Sequence, residues 1–247
     1  MRRLLLLVLM GISTLTFAQK QMDYKEKHYP NGKLMYKGMF RDGKPVGVFK
    51  RYYPTGIIKA ELNYFEKYVN ATFYNKTGKL IATGRYVDNK KDSIWNYFSE
   101  DRLISRENYV NGKKDGDSFL YYPEGGIKET IFWNNGVKEG EWRRYYRNKK
   151  LMFLALFTKG KLDGKFVAYN RRGEISIVGK YVDAYKEGTW TYYRGAHEYT
   201  ITYSMGLEVS SKNKPKEEKS NKKIVDPEKY MSNPYEFLKQ VNSGGSN

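Results

Sequence analysis

The chain has 247 residues, with 24 Tyr, 12 Phe and 4 Trp set against 7 Pro and 23 Gly, no Cys, and a formal net charge of +18. The missing Cys excludes disulfides, thiol catalysis and a lipid-modified N-terminal Cys. Few aliphatics outside the leading segment argue against one thick core and for short strands and tight turns, because aromatics fill a pleated face and Gly supplies positive φ. The excess of Lys and Arg favours anionic surfaces, although these residues recur repeat by repeat, as a solvated face requires.

The first element is an address. Met1-Arg2-Arg3 precedes the apolar run Leu4–Ile12, and Thr16-Phe17-Ala18 places small residues around a cut after Ala18. This is the pattern of a secretory signal peptide over residues 1–18. Spanning a bilayer takes about 20 apolar residues, more than this run offers, and no later segment qualifies. The expected product is exported to the periplasm, the cell surface or the medium.

A repeat occupies residues 24–206. Tyr29-Pro-Asn-Gly32, Tyr53-Pro-Thr-Gly56, Tyr74-Asn-Lys-Thr-Gly78 and Tyr122-Pro-Glu-Gly125 open units, with Phe98, Tyr146, Asn170 and Tyr193 in equivalent places. A second marker, Gly47, Gly116, Gly140, Gly164 and Gly188, gives the same phase of roughly 24 residues. After each opening turn come alternations such as Leu34-x-Tyr36-x-Gly38-x-Phe40 and Ile175-x-Ile177-x-Gly179-x-Tyr181, the period-two pattern of a strand. Asp42-Gly43, Asn111-Gly112 and Asn135-Gly136 then signal type I′ hairpin turns. A second strand follows with an aromatic (Phe49, Trp95, Phe119, Trp142, Phe166, Trp190) and closes on Tyr52, Tyr97, Tyr121, Tyr145, Tyr169 or Tyr192. The mid-strand Gly38, Gly84 and Gly179 are expected to make room for a neighbouring aromatic. Leu62–Phe73 is short and lacks Gly, which predicts a different turn there. The fold class is all-β: an elongated single-layer antiparallel meander of seven to eight hairpins that stabilise one another by stacking.

Tyr36-Lys-Gly38-Met-Phe40-Arg-Asp-Gly43-Lys-Pro-Val-Gly47-Val-Phe49 resembles a MORN repeat, as do Tyr109–Gly116 and Trp133–Trp142. The doubled aromatics and the Tyr-Pro-x-Gly turn are closer to the bacterial variant of that repeat, a type often labelled antitoxin-like. The resemblance runs from Tyr29 to Tyr203, about 70% of the chain. It implies a β-scaffold used for protein or membrane-lipid association. An exported chain fits the antitoxin label only with a toxin outside the cytoplasm.

No catalytic constellation stands out. Asp115, Glu139, Asp163 and Glu187 each precede the marker Gly and follow the repeat's symmetry, which points to turn chemistry rather than acid–base work. His28 and His197 have no ligand spacing around them, so neither a metal nor another cofactor is expected. The doublets Tyr52-Tyr53, Tyr121-Tyr122, Tyr145-Tyr146 and Tyr192-Tyr193 should bury one ring and expose the other. The candidate binding face is therefore Tyr53, Tyr122, Tyr146 and Tyr193, with Arg144 and Lys128 beside them. Asp92-Ser93-Ile94 resembles a short bacterial O-glycosylation motif.

Past Gly206 the pattern is expected to stop. Residues 207–226 read as a basic disordered linker and residues 227–247 as a tail in which Asn233-Pro234-Tyr235-Glu236 starts a short helix. The sequence points to a non-enzymatic exported scaffold associating with a protein partner at the cell envelope. Envelope glycan or anionic lipid is the alternative ligand, a toxin partner a second alternative, and nucleic acid is not expected.

Overall fold

The computed structural model describes residues 22–215, all strands, turns and loops. The signal peptide and the terminal helix read from the sequence lie outside them. The strands are β1 (Met22–His28), β2 (Leu34–Arg41), β3 (Lys44–Tyr52), β4 (Ile58–Tyr64), β5 (Val69–Tyr74), β6 (Leu80–Val87), β7 (Lys90–Ser99), β8 (Arg102–Val110) and β9 (Lys113–Tyr121). They continue as β10 (Ile127–Asn134), β11 (Val137–Tyr145), β12 (Leu151–Thr158), β13 (Lys161–Leu162), β14 (Gly164–Tyr169), β15 (Ile175–Val182), β16 (Tyr185–Arg194), β17 (His197–Ser204) and β18 (Leu207–Lys212). They are one open antiparallel meander in chain order, β13 and β14 both pairing with β12. Two compact units divide the described residues: 22–91 with Ser99–Asp101, and Asp92–Phe98 with 102–215.

Two turn chemistries alternate. In the Tyr-Pro-x-Gly turn, Tyr53 N–H donates to the Ile57 carbonyl and Gly56 N–H to the Tyr53 carbonyl, both at 2.8 Å. Pro54 presets φ at the second position, and Gly56 at φ +88° supplies the left-handed residue the chain needs to re-enter a strand. The same bonds recur at Tyr29, Asn75, Tyr122, Tyr146 and Asn170. Asn75, rather than Tyr74, thus opens its turn. Most of the other turns have two residues at positive φ, as at Asp42-Gly43 (51° and 74°) and Asn135-Gly136 (50° and 87°). Phe98 and Tyr193 do not open units. Short turns stand there instead, at Glu100-Asp101 and Gly195-Ala196, and Tyr193 remains in the ladder opposite Glu198.

The second glycine marker has a specific use. Gly38 pairs with Phe49, but Met39 pairs with Val46, so Gly47 and Val48 have no partners in β2 and form a bulge there, while pairing with Tyr64 and Asn63 of β4. Gly140 and Glu141 stand in the same way between Ile131·Trp142 and Phe132·Glu139. Mid-strand glycine serves close approach instead. A Cβ on Gly38 would lie 2.7 Å from Phe49 Cδ2, and Gly179 lies under the Trp190 ring in the same manner. In the short hairpin, β4 and β5 pair without any bulge. Phe65 N–H closes its loop on the Tyr68 carbonyl at 2.9 Å, and the two rings stack at 4.6 Å.

β18 corrects the expected end of the pattern at 206. Thr200 to Ser204 pair with Leu207 to Lys212, and every residue of that last strand is exposed. A Lys- and Ser-rich composition suits an outermost strand as well as a linker.

Each unit packs its aromatics on one face. In the second, Trp142, Phe153, Ala155, Phe157, Leu162, Phe166, Ala168, Ile177, Tyr181 and Trp190 form one buried cluster. Its rings meet edge to face, Trp142 on Phe153 at 4.6 Å and Tyr181 on Trp190 at 5.1 Å. In the first, Tyr36, Phe40 and Tyr64 surround Phe49 at 5.5 to 6.4 Å.

Candidate binding face

Cross-strand register sorts the second unit's residues by face. One row on the inner face runs Ser105, Leu120, Glu129, Arg144, Phe153, Ala168, Ile177, Tyr192 and Tyr199, each opposite the next. Beyond Arg144 the row is apolar or aromatic. Before it, the positions held elsewhere by Phe153 and Ala168 carry Glu129 and Arg144.

This polar stretch is buried. Glu107 accepts from Lys114 Nζ at 2.7 Å and from Tyr109 Oη at 2.6 Å, with Ser105 close by. Arg144 Nη1 donates to Glu129 at 3.0 Å, and both side chains are about nine-tenths buried. Burial raises the Glu129 pKa, and Arg144, the Trp142 indole, Lys128 and Lys138 oppose that rise without cancelling it. Burial also lowers the Lys128 and Lys138 pKa values. Ser118 replaces the aromatic of the other second strands, while Phe119 faces Arg106 and Thr130 on the opposite side. A cavity of about 20 Å³ results, lined by Ser105, Glu107, Lys114, Ser118, Glu129 and Trp133, with room for one water. The sequence pattern missed this cluster, since Phe119 reads as the expected aromatic until register shows its neighbour to be the inward residue.

The tyrosine doublets behave differently from expectation. Tyr192 is buried and Tyr193 is 41% exposed, as alternation requires. In the other three pairs both rings are half-buried. Tyr53, Tyr122 and Tyr146 are first residues of turns, so they leave the ladder and lie along the next hairpin. Their hydroxyls donate to the carbonyls of Tyr74 (2.9 Å), Tyr145 (2.6 Å) and Tyr169 (2.7 Å). Tyr29 does the same to Tyr52 at 2.9 Å. These residues join hairpins. With Arg144 committed to Glu129 and Lys128 half-buried next to it, the structure does not gather the six sequence candidates into one face.

The recurring acids are also joints. Asp115, Glu139, Asp163 and Glu187 accept from the main-chain N–H of Asn135 (2.9 Å), Lys159 (2.9 Å), Asp183 (3.2 Å) and Met205 (2.8 Å). Each of these donors is the first residue of the next two-residue turn. The second turn residue donates to the carbonyl before the acid, as Gly136 does to Lys114 at 2.7 Å. Among the described residues no three His, Asp or Glu converge as metal ligands, and no helix is long and apolar enough to cross a membrane.

The outer face is less committed. Its row reads Arg106, Phe119, Thr130, Arg143, Leu154, Val167, Val178, Thr191 and Thr200. Phe132 stands beside it at 42% exposure, and Val48 in the first unit is 47% exposed.

The MORN repeat variant family matches four stretches, residues 25–42, 45–66, 114–135 and 138–159. No curated protein matches the chain. Among solved structures, a mutant S. aureus TarM in complex with fondaparinux, α-GlcNAc-glycerol and UDP is 18% identical at a TM-score of 0.30, over 38% of this chain and 19% of that one. A GtfA/B complex is 12% identical at 0.25, over 42% and 19%. A second TarM structure is 19% identical at 0.21, over 46% and 20%. The chain thus spans about a fifth of the length of these proteins.

Proposed function

Because the chain is a MORN-variant repeat protein, we propose that it works as a non-enzymatic, exported scaffold that holds a protein partner at the cell envelope through the outer face of its sheet. One observation carries this reading. The inner face is filled by the protein's own aromatics and ion pairs, and the turn tyrosines and acids are bonded between hairpins, whereas Phe132 and Val48 remain uncovered on the outer face among charged neighbours. An exposed apolar group rimmed by polar residues is the kind of surface a protein contact can use. The leader sequence supports export, and the repeat-symmetric acids support the absence of catalysis.

Binding of envelope glycan or anionic lipid is the competing reading. It draws on the net charge but loses most of its tyrosine platform, since the Tyr53, Tyr122 and Tyr146 hydroxyls bond the next hairpin. Photo-crosslinkers at Val48 and Phe132 in the native cell test the choice. Discrete protein adducts are expected; adducts only to lipid or glycan, with association to purified envelope that collapses as salt rises, would sink the protein-scaffold reading.

A further inference from the structure

Each wide bulge leaves a gap on the outer face, and one side chain decides whether it is filled. At Gly164 a Cβ would sit 2.9 Å from Leu156 Cδ1, at Gly116 3.1 Å from Asn108 Nδ2, and at Gly188 3.7 Å from Lys180 Cε. Leu156, Asn108 and Lys180 share one repeat position and lean over the bulge. Met39 and Phe132 hold that position elsewhere, yet a Cβ on Gly47 or Gly140 would meet nothing within 4 Å. Both bulges are accordingly open. The first unit has a dent of about 250 Å³ lined by Tyr24, Lys37, Met39, Val48 and Lys50. The second has one of about 230 Å³ lined by Asp117, Thr130, Phe132, Glu141 and Arg143. The residues correspond one to one: Tyr24 to Asp117, Lys37 to Thr130, Met39 to Phe132, Val48 to Glu141, Lys50 to Arg143. Two repeats thus keep the same cavity and change its chemistry.

The first dent is basic and apolar. Lys37 and Lys50 are direct cross-strand partners, so their ammonium groups share one side of it. Lys50 has Glu61 at 2.9 Å, while Lys37 has no ion pair among the described residues. Tyr24 and Val48, 58% and 47% exposed, supply apolar surface. The unit as a whole is basic, with fifteen Lys and Arg against six Asp and Glu over residues 22–91, although Glu26 and Glu61 stand opposite Lys37 and Lys50 in the ladder. The second dent places Asp117 and Glu141 where the first has Tyr24 and Val48, and its Arg143 is already paired with Glu141.

Resting on the scaffold reading above, we propose that the dent at Tyr24, Lys37, Met39, Val48 and Lys50 seats one apolar side chain of an acidic polypeptide segment, whose flanking carboxylates pair with Lys37 and Lys50. A membrane surface is a poorer fit, because headgroup recognition draws on clusters of about four to eight basic residues and only two line this dent. The acidic second dent excludes the same segment, which makes the pair of dents a built-in specificity contrast.

The test titrates the full chain with three probes: a short synthetic peptide with one Phe flanked by Glu, its Lys-flanked counterpart, and phosphatidylglycerol vesicles. The Glu-flanked peptide should bind, the Lys-flanked one should not, and Lys37→Glu and Val48→Asp should each weaken binding about tenfold, roughly 1.4 kcal/mol. Lys37→Gln, which leaves the fold least disturbed, should give an intermediate loss. Glu141→Lys, in the other dent, should leave first-dent binding unchanged. Equal binding of both peptides, indifference to Lys37 and Val48, or vesicle binding in place of peptide binding overturns the assignment. If crosslinks at Phe132 capture protein but those at Val48 never do, this dent fails while the scaffold reading stands; no protein adduct at either position removes both.

Discussion

Two halves of the second unit's inner face share one backbone plan and hold themselves together by opposite means. From Trp142 to Trp190 the facing positions are aromatic or aliphatic, and Phe153, Ala155, Phe166 and Ala168 have no solvent exposure. From Ser105 to Arg144 the same positions carry Ser105, Glu107, Ser118, Glu129 and Arg144, with Glu107 bonded to Lys114 and Glu129 to Arg144. Both halves keep the register, so the repeat specifies turns and bulges and leaves the composition of the face free. The lesson is about failure. An apolar face loses stability in proportion to the volume removed, while a charged face tolerates the joint replacement of a pair far better than the loss of one partner.

That contrast is open to measurement. Phe166→Ala should lower the unfolding free energy by about 3–5 kcal/mol in denaturant titration. Glu129→Ala leaves Arg144 buried without its carboxylate and should cost about 3–5 kcal/mol, yet Glu129→Phe combined with Arg144→Ala, which copies Phe153 and Ala168, should come within about 1 kcal/mol of the parent or exceed it. A double variant no better than Glu129→Ala would mean that the two halves are not interchangeable. Gly179→Ala, which pushes a methyl against the Trp190 ring, should cost about 1–3 kcal/mol by the same titration.

The pH dependence sharpens the comparison further. Burial raises the Glu129 pKa, so the folded state holds that proton more tightly than the unfolded chain. Its stabilising contribution is present below the ordinary carboxylate range and is lost as pH rises through the raised value. Thermal melts should therefore show the parent falling relative to the Glu129→Phe, Arg144→Ala variant as pH climbs through that window, and a difference independent of pH would refute the assignment. Tyr146→Phe, which strips one hydroxyl from the Tyr169 carbonyl, is the smallest change, about 1 kcal/mol.

Much of the fold was legible because it rests on local chemistry. Asn-Gly and Asp-Gly announce their turns through φ, Tyr-Pro-x-Gly announces the other kind, and period-two alternation sets the faces between them. The site was less legible because it depends on register. Tyr53, Tyr122 and Tyr146 read as exposed by simple alternation, but a turn residue leaves the pleat and its ring lies over the next hairpin. Phe119 and Ser118 are adjacent, and only the pairing of Glu107 with Ser118 shows which one faces inward. The open bulges at Gly47 and Gly140 had no sequence signal, since Met and Leu are equally able to fill a gap and the conformation each adopts is a matter of packing.

The carboxylate joints have a direction. Asp115, Glu139, Asp163 and Glu187 each reach forward along the chain to the turn after their own, and the hydroxyls of Tyr29, Tyr53, Tyr122 and Tyr146 also bond forward. Every hairpin is thus a template for its successor, which gives assembly a polarity matching the order in which a chain leaves the ribosome or a translocation pore. Shortening from the C-terminal end removes only the later turns that lean on these groups and leaves the remaining turns held. Shortening from the N-terminal end strips the hairpin that carries the accepting carboxylate and leaves the next turn with bare N–H groups, so the array should tolerate loss at one end and unravel from the other.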